Sequence, residues 1–184
     1  MPQNTDIKMN LSEKIKNSIR DIKDFPKEGI IFKDITPILL DPQLCDEIVE
    51  AFVSQIKPFE PDAIACVEAR GFFFGTLIAQ KLQLPFIPIR KKGKLPYETI
   101  SHSYDLEYGS ATIEMHQDAI KPNWKILIHD DLLATGGTAN AAAELVESVG
   151  ANTIGFSFLV DLTFLDGQKP LKKHTNNIVS LVEF

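Results

Sequence analysis

Lys125-Ile-Leu-Ile-His-Asp-Asp-Leu-Leu-Ala-Thr-Gly-Gly-Thr138 decides how the rest of the chain is read. The apolar run Lys125–His129 predicts a buried strand, and two adjacent carboxylates, Asp130 and Asp131, close it. Gly136 and Gly137 allow the backbone beyond them to curl until successive N–H groups point at one centre. A helix is predicted from about Thr138 to Val149, closed by Gly150, and its N-terminus adds partial positive charge. Thr135 and Thr138 add hydroxyl donors, so Ala134–Thr138 is a candidate phosphate site at the C-terminal end of a strand, where doubly wound sheets bind ligands. No Lys follows the glycines and no GxGxxG is present, which excludes a Walker A loop and a dinucleotide fingerprint. A phosphate loop alone does not call for two acids before it. Asp130 and Asp131 make sense when the ligand also carries hydroxyls or Mg²⁺, because carboxylates accept from the one and coordinate the other. A phosphorylated sugar meets both demands.

Outward from this stretch, the chain alternates. Ala63–Val67, Pro85–Ile89, Thr153–Val160 and Ile178–Val182 are further apolar runs of strand length, and a helix is predicted from Gly71 to Leu82. Continuous apolar strands separated by helices indicate an α/β fold, with a central, mainly parallel sheet flanked by helices. Lys91–Asn123 interrupts the rhythm. Its short alternating pieces, Thr99–Tyr104 and Ala111–Met115, predict a hairpin-like excursion over the site, outside the core sheet. Towards the N-terminus, Asn10 and Glu13 mark a helix start, with Leu11, Ile15 and Ile19 on one face. Asp24–Ile38 reads as an ordered loop. Asp41-Pro42 reads as an N-cap with proline at the first helical position, and the helix it opens stops at Pro58. Residues 1–9 are polar and are expected to be disordered.

The chain has 184 residues and a net charge of −6. That fits one domain, residues 1–184, with its own core. The acidic balance argues against a protein built to coat nucleic acid or an anionic membrane. No apolar run approaches bilayer length and no leader pattern opens the chain, so a cytoplasmic protein is expected. The only cysteines, Cys45 and Cys66, form no CxxC pair and are expected as small core hydrophobes. Not all of Phe72, Phe73 and Phe74 can face one core from a single helix, which hints at an interface.

Asp130-Asp-Leu-Leu-Ala-Thr-Gly-Gly-Thr138 resembles the phosphoribosyl diphosphate motif of the type I phosphoribosyltransferases, and its Leu-Leu-Ala form resembles the adenine-specific members. Three more segments match in the same order: Phe25-Pro-Lys-Glu-Gly-Ile-Ile-Phe-Lys-Asp-Ile-Thr-Pro37, Glu68-Ala-Arg-Gly71, and Arg90-Lys-Lys-Gly-Lys-Leu-Pro96 with Glu107-Tyr-Gly109. The resemblance runs from about Phe25 to Leu162. It implies the type I fold with a small base-binding hood (residues 10–40) and a flexible catalytic loop (residues 91–123).

The resemblance also implies roles. Ala134, Thr135, Gly136, Gly137 and Thr138 would hold the 5′-phosphate. Asp130 and Asp131 would hold the ribose hydroxyls and serve as candidate ligands to an Mg²⁺ held mainly by substrate oxygens and water. Glu68, Ala69, Arg70, Arg90, Lys91 and Lys94 would meet the diphosphate, and the Glu68–Ala69 peptide would be cis. Ile31, Phe32, Lys33 and Leu132 would form the adenine pocket, with Lys33 standing where the family commonly has Arg. That exchange loses a bidentate fork. Glu107 would serve acid–base chemistry at the base, with Asp130, Asp131 and Arg70 as the other catalytic residues. A homodimer acting on adenine and 5-phosphoribosyl 1-diphosphate is implied, without nucleic acid or membrane partners. The rivals are a transferase for another base, a DNA-binding regulator that senses the sugar diphosphate, and an inactive interaction protein. The last two are disfavoured by the acidic charge and by the intact acid pair.

Overall fold

The computed structural model describes residues 10–105 and 110–184, with the side chain of Asp105 also left out. The chain divides into two compact units, residues 1–48 and 49–184. The boundary falls inside a helix, which explains why the sequence shows no linker there.

In the first unit, helix α1 (Leu11–Ser18) opens on a reciprocal capping box. The Asn10 side chain accepts from the Glu13 N–H at 2.9 Å, and the Glu13 carboxylate accepts from the Asn10 N–H at 3.2 Å. Strand β1 (Arg20–Lys23) pairs antiparallel with β2 (Ile31–Asp34), placing Asp21 opposite Lys33 and Ile22 opposite Phe32. The expected loop from Asp24 to Ile38 therefore contains a strand. At four residues, with a charged cross-strand pair, β2 carries too little hydrophobic alternation to announce itself. Helix α2 (Pro42–Ile56) starts as expected, with the Asp41 carboxylate accepting from the Leu44 N–H at 3.0 Å.

The second unit is built on a seven-stranded sheet. Its five parallel strands are β3 (Ala63–Val67), β4 (Phe86–Lys91), β7 (Lys125–Leu133), β8 (Asn152–Asp161) and β9 (Ile178–Glu183), in the spatial order β4-β3-β7-β8-β9. These are the five apolar runs of the sequence. The hairpin β5 (Thr99–Asp105) and β6 (Ser110–His116) differs from expectation, because it belongs to the sheet and extends it beyond β4. The join is short: β6 pairs antiparallel with β4 only at Arg90↔Glu114 and Lys91↔Ile113. The ribbon alternates, burying Ile113 and Met115 while Ser101, Ser103 and Ser110 stay exposed, so it lacks the continuous apolar signature of a parallel core strand.

Helix α3 (Gly71–Leu82) packs on β3 and β7 through two glycines. A Cβ at Gly75 would lie 2.2 Å from Cys66 Sγ, and one at Gly71 would lie 2.9 Å from Asp130 Oδ1. Phe74 points into the core and Phe72 packs edge-on against Phe86, while Phe73 and Leu77 stay exposed on the helix. Helix α4 (Gly137–Glu147) covers β7, β8 and the hairpin with an alanine-rich buried face. Cys66 is buried as expected, but Cys45 is only half-buried, its thiol donating to the Ile38 carbonyl at 3.4 Å. His129 is fully buried, bonded to Ser157 at 2.9 Å and stacked edge-on with Phe52. Burial pushes its imidazole down to about 3, so it is a neutral core residue. Among the described residues no helix is long and apolar enough to cross a membrane.

Candidate active site

From β3 the chain proceeds to β4 on one side, and from β7 it proceeds to β8 and β9 on the other. The order of strands therefore reverses between β3 and β7, and the carboxyl ends of such a pair form the crevice where open α/β sheets bind ligands. The second unit has its cleft at that point, bounded by Glu68–Arg70 after β3, Arg90 and Lys91 at the end of β4, and Asp130–Leu132 at the end of β7.

The acid pair lies within β7, which runs to Leu133 where the sequence suggested an end at His129. The Asp130 carboxylate accepts from the Asp131 N–H at 2.8 Å. Asp131 is buried and pairs with Arg70, its Oδ2 lying 3.0 Å from Nε. Burial first, and then the charge of Asp131, push the Asp130 carboxyl well above the ordinary carboxylate range. Burial also raises Asp131, and the Arg70 guanidinium works against that rise.

The opposite wall is a second acid–base arrangement. Glu68 accepts from Arg90 Nε at 2.7 Å and from the Lys91 N–H, and Arg90 Nη1 donates to the Lys94 carbonyl at 2.9 Å. The peptide between Glu68 and Ala69 is cis. Below the acid pair, the loop Ala134–Thr138 turns into α4. Gly136 has φ +80°, and a Cβ there would lie 2.2 Å from the Gly167 carbonyl oxygen, so only glycine fits. Gly137 is different. Its missing Cβ would meet nothing nearer than Thr135 Oγ1 at 3.9 Å. The N-cap of α4 is Gly136, with no side-chain cap, an arrangement that suits an anion at the helix N-terminus.

The phosphoribosyl transferase domain family matches residues 35–183. Adenine phosphoribosyltransferase of Cytophaga hutchinsonii is 54% identical over 95% of this chain and 96% of its own. The crystal structure of adenine phosphoribosyltransferase from Thermoanaerobacter pseudethanolicus superposes with a TM-score of 0.91 at 48% identity, covering 95% of this chain and 100% of the other. The Saccharomyces cerevisiae enzyme, crystallised with an imino-altritol bisphosphate and adenine, superposes at 0.85 with 38% identity, over 93% of this chain and 98% of its own. The chain belongs to the phosphoribosyltransferase family, among its adenine phosphoribosyltransferases.

Within this phosphoribosyltransferase cleft the structure brings together Glu68, Ala69, Arg70, Arg90, Lys91, Asp130, Asp131, Leu132 and Thr138, drawn from three separate sequence motifs. Ala134–Gly137 adjoin it through Thr138. Lys94 meets it through its carbonyl, which holds Arg90. Ile31, Phe32 and Lys33 lie in the first unit, where Ile31 is exposed, Phe32 packs edge-on against Phe25 at 5.1 Å, and Lys33 pairs with Asp21 at 2.8 Å. Glu107 lies outside the described residues.

The sequence reading missed Tyr104. Its hydroxyl lies 3.1 Å from Thr138 Oγ1, at the mouth of the phosphate loop. The alternation of Thr99–Tyr104 carried the signal, since it puts His102 and Tyr104 on one face of β5. His102 Nε2 pairs with Glu144 of α4 at 2.8 Å, and the two contacts hold the hairpin against the helix that bears the loop.

For a metal, no group of three or more His, Cys, Asp or Glu converges among the described residues. Glu68 is taken up by Arg90 and Lys91, and the two carboxylates of the acid pair, one already paired with Arg70, are a hard-oxygen donor set too small to encage an ion. They fit an Mg²⁺ that takes most of its ligands from phosphate oxygens and water.

Proposed function

We propose that this chain transfers the 5-phosphoribosyl group of 5-phosphoribosyl 1-diphosphate to adenine, releasing AMP and diphosphate in purine salvage. The observation that carries the proposal is the switch-point cleft. An acid pair for the sugar stands between a glycine loop suited to one phosphate and a basic wall suited to another.

In the reaction, adenine N9 bonds to C1 of the ribose as the bond from C1 to the diphosphate oxygen breaks, and the N9 proton is lost. Positive charge grows on the ring as the leaving group departs. The Ala134–Thr138 backbone and Thr hydroxyls hold the 5′-phosphate, fixing one end of the sugar. Asp130 and Asp131 accept from the ribose hydroxyls, and their negative charge lies where the ring turns cationic. Arg70, oriented by Asp131, meets the diphosphate with its planar guanidinium. Arg90 and Lys91 face the same group, with Lys94 beside them. Glu68 works through Arg90, since its two oxygens already accept from Arg90 and Lys91 and a carboxylate repels a diphosphate directly. When bound, Mg²⁺ supplies positive charge to the diphosphate and sugar oxygens, and Asp130 and Asp131 would hold it. Glu107 shares a proton with N7 of the base.

For adenine, Leu132 offers apolar surface at the cleft, and by the family resemblance Ile31 would offer a backbone donor and acceptor, Phe32 a flat ring, and Lys33, paired with Asp21, a charge. Exposed Phe73 and Leu77, one turn apart on α3, support a homodimer. The cytoplasm is the proposed location.

The test is diphosphate release from the sugar diphosphate, with and without adenine and Mg²⁺. Release that needs both is expected. Release with hypoxanthine or guanine but not adenine overturns the choice of base, and no release with any base overturns the reading as a whole.

A further inference from the structure

The basic turn that follows β4 is wrapped around a buried carboxylate. Glu114, on β6, is 4% exposed. Its Oε1 accepts from the N–H groups of Gly93, Lys94 and Leu95, each at 3.0 Å, and its Oε2 lies 3.5 Å from the Thr99 hydroxyl. Three successive N–H groups converging on one oxygen form an anion-binding nest, here filled by the protein's own acid. Gly93 supplies the left-handed residue that such a nest requires, at φ +82°.

Glu68 does the corresponding work at the other end of the turn, taking the Lys91 N–H and the Arg90 guanidinium. The Lys92 N–H donates to the Thr112 carbonyl at 3.0 Å. Every backbone donor from Lys91 to Leu95 is thereby engaged. A segment bearing Arg90, Lys91, Lys92 and Lys94 would repel itself and loosen if left to water. Two carboxylates, the buried Glu114 of β6 and the half-buried Glu68 just after β3, instead hold its backbone in one shape, while Lys91, Lys92 and Lys94 remain exposed.

We infer that Glu114 is a positioning residue for the diphosphate: its carboxylate fixes the basic turn Lys91–Leu95 in the form that receives the leaving group. This rests on the phosphoribosyl-transfer reading above. Its own content is that the affinity for one end of the substrate depends on an acid that never touches the substrate. Preorganisation of this kind lowers the cost of ordering long side chains when the ligand arrives. It acts on the diphosphate and spares the 5′-phosphate, which is held at Ala134–Thr138.

The test is Glu114→Gln in the full chain, with calorimetric affinities for inorganic diphosphate and for ribose 5-phosphate, beside KM and kcat for the sugar diphosphate and KM for adenine. The amide keeps the shape and loses the charge. The dissociation constant of diphosphate and the KM of the sugar diphosphate are expected to rise about tenfold, the scale of a weakened charged hydrogen-bond set. Ribose 5-phosphate affinity and the KM of adenine are expected to stay within about twofold. Equal losses for both phosphate ligands, which a general folding defect would give, overturn the inference, as does an unchanged diphosphate affinity. A wild-type chain that binds no diphosphate at all fails earlier and brings down the transfer reading first. Amide hydrogen exchange on the wild type needs no variant. Gly93, Lys94 and Leu95 are expected to exchange slowly as a group and to gain protection when inorganic diphosphate is added, and rapid exchange at all three overturns the inference.

Discussion

Two buried acidic sites lie in the same unit, and they stand in opposite electrostatic situations. Glu114 is surrounded by donors from its own chain. Burial pulls its carboxyl upward, but the N–H groups of Leu95, Gly93 and Lys94 outweigh that pull and leave it below the usual range. Burial first, and then the charge of Asp131, push Asp130 well above that range, and the Asp131 N–H it accepts does not offset them. A carboxylate whose hydrogen bonds the fold completes is a structural part. One that the fold buries beside a like charge suits the role proposed for it, toward sugar hydroxyls or a cation. The contrast separates an acid that shapes the basic turn from the acids proposed to meet the substrate.

The largest test of that contrast is Asp130→Asn. The amide oxygen can still accept the Asp131 N–H, but the charge for the sugar is gone. Turnover is expected to fall by about 10²–10³, the usual loss of a preorganised charge at a reacting centre. The melting temperature of the free protein is expected to rise, by roughly 2–4 °C for each kcal/mol of repulsion relieved. Steady-state assays and a thermal melt check both. A destabilised variant would mean that Asp130 is structural after all, and the contrast with Glu114 would collapse.

The two adjacent loop glycines give a smaller effect of the same kind. Alanine at Gly136 must take φ +80° and press its Cβ to within 2.2 Å of the Gly167 carbonyl oxygen. A loss of about 2–3 kcal/mol of stability is expected from the backbone and overpacking terms together. Alanine at Gly137 meets open space, so unfolding by urea should be unchanged. The KM for the sugar diphosphate should rise severalfold all the same, because the Cβ intrudes where a phosphate approaches the backbone. Equal stability losses at both positions would deny that Gly137 faces a ligand. Smaller again is Tyr104→Phe. It removes one hydroxyl beside Thr138, and a threefold to tenfold rise in the same KM, about 1 kcal/mol, with kcat nearly constant is expected.

Much of this was legible before any coordinates. Five continuous apolar runs named the five parallel strands, because a strand buried on both faces has no room for polar alternation. The places of Asp130, Asp131 and the glycine loop were legible because they are local: one strand end and one turn suffice. Glu114 and Tyr104 were not. The N–H groups that Glu114 collects lie 19 to 21 residues away, and Thr138 lies 34 residues from Tyr104. Those meetings depend on the register of β6 on β4 and on the fit of β5 against α4, and a single strand's pattern does not fix its register to a distant partner. The β1–β2 ribbon escaped for a related reason: what marks it is the pairing of Asp21 with Lys33, and charge pairs are invisible until the strands are aligned.

The finest test follows the two acids through pH. Asp130 holds its proton more tightly in the folded chain than in the unfolded one, so its contribution to stability is fully present below the unfolded carboxylate value and is lost as pH rises through its folded value. Glu114 is the reverse: its contribution is present above the ordinary glutamate value and is lost only as pH falls through its lowered folded value. Melting temperatures of the wild type, Asp130→Asn and Glu114→Gln, taken from neutral pH downward, should therefore diverge in opposite senses. The advantage of Asp130→Asn over the wild type should be largest at neutral pH and shrink early in the descent, once the wild-type carboxyl can take its proton. The deficit of Glu114→Gln should persist through the ordinary carboxylate range and close only below it. Differences of a degree or two suffice, since the order in which the gaps close carries the result. Curves that stay parallel would show that neither acid is tuned by its surroundings, and the division between shaping and receiving residues would lose its electrostatic basis.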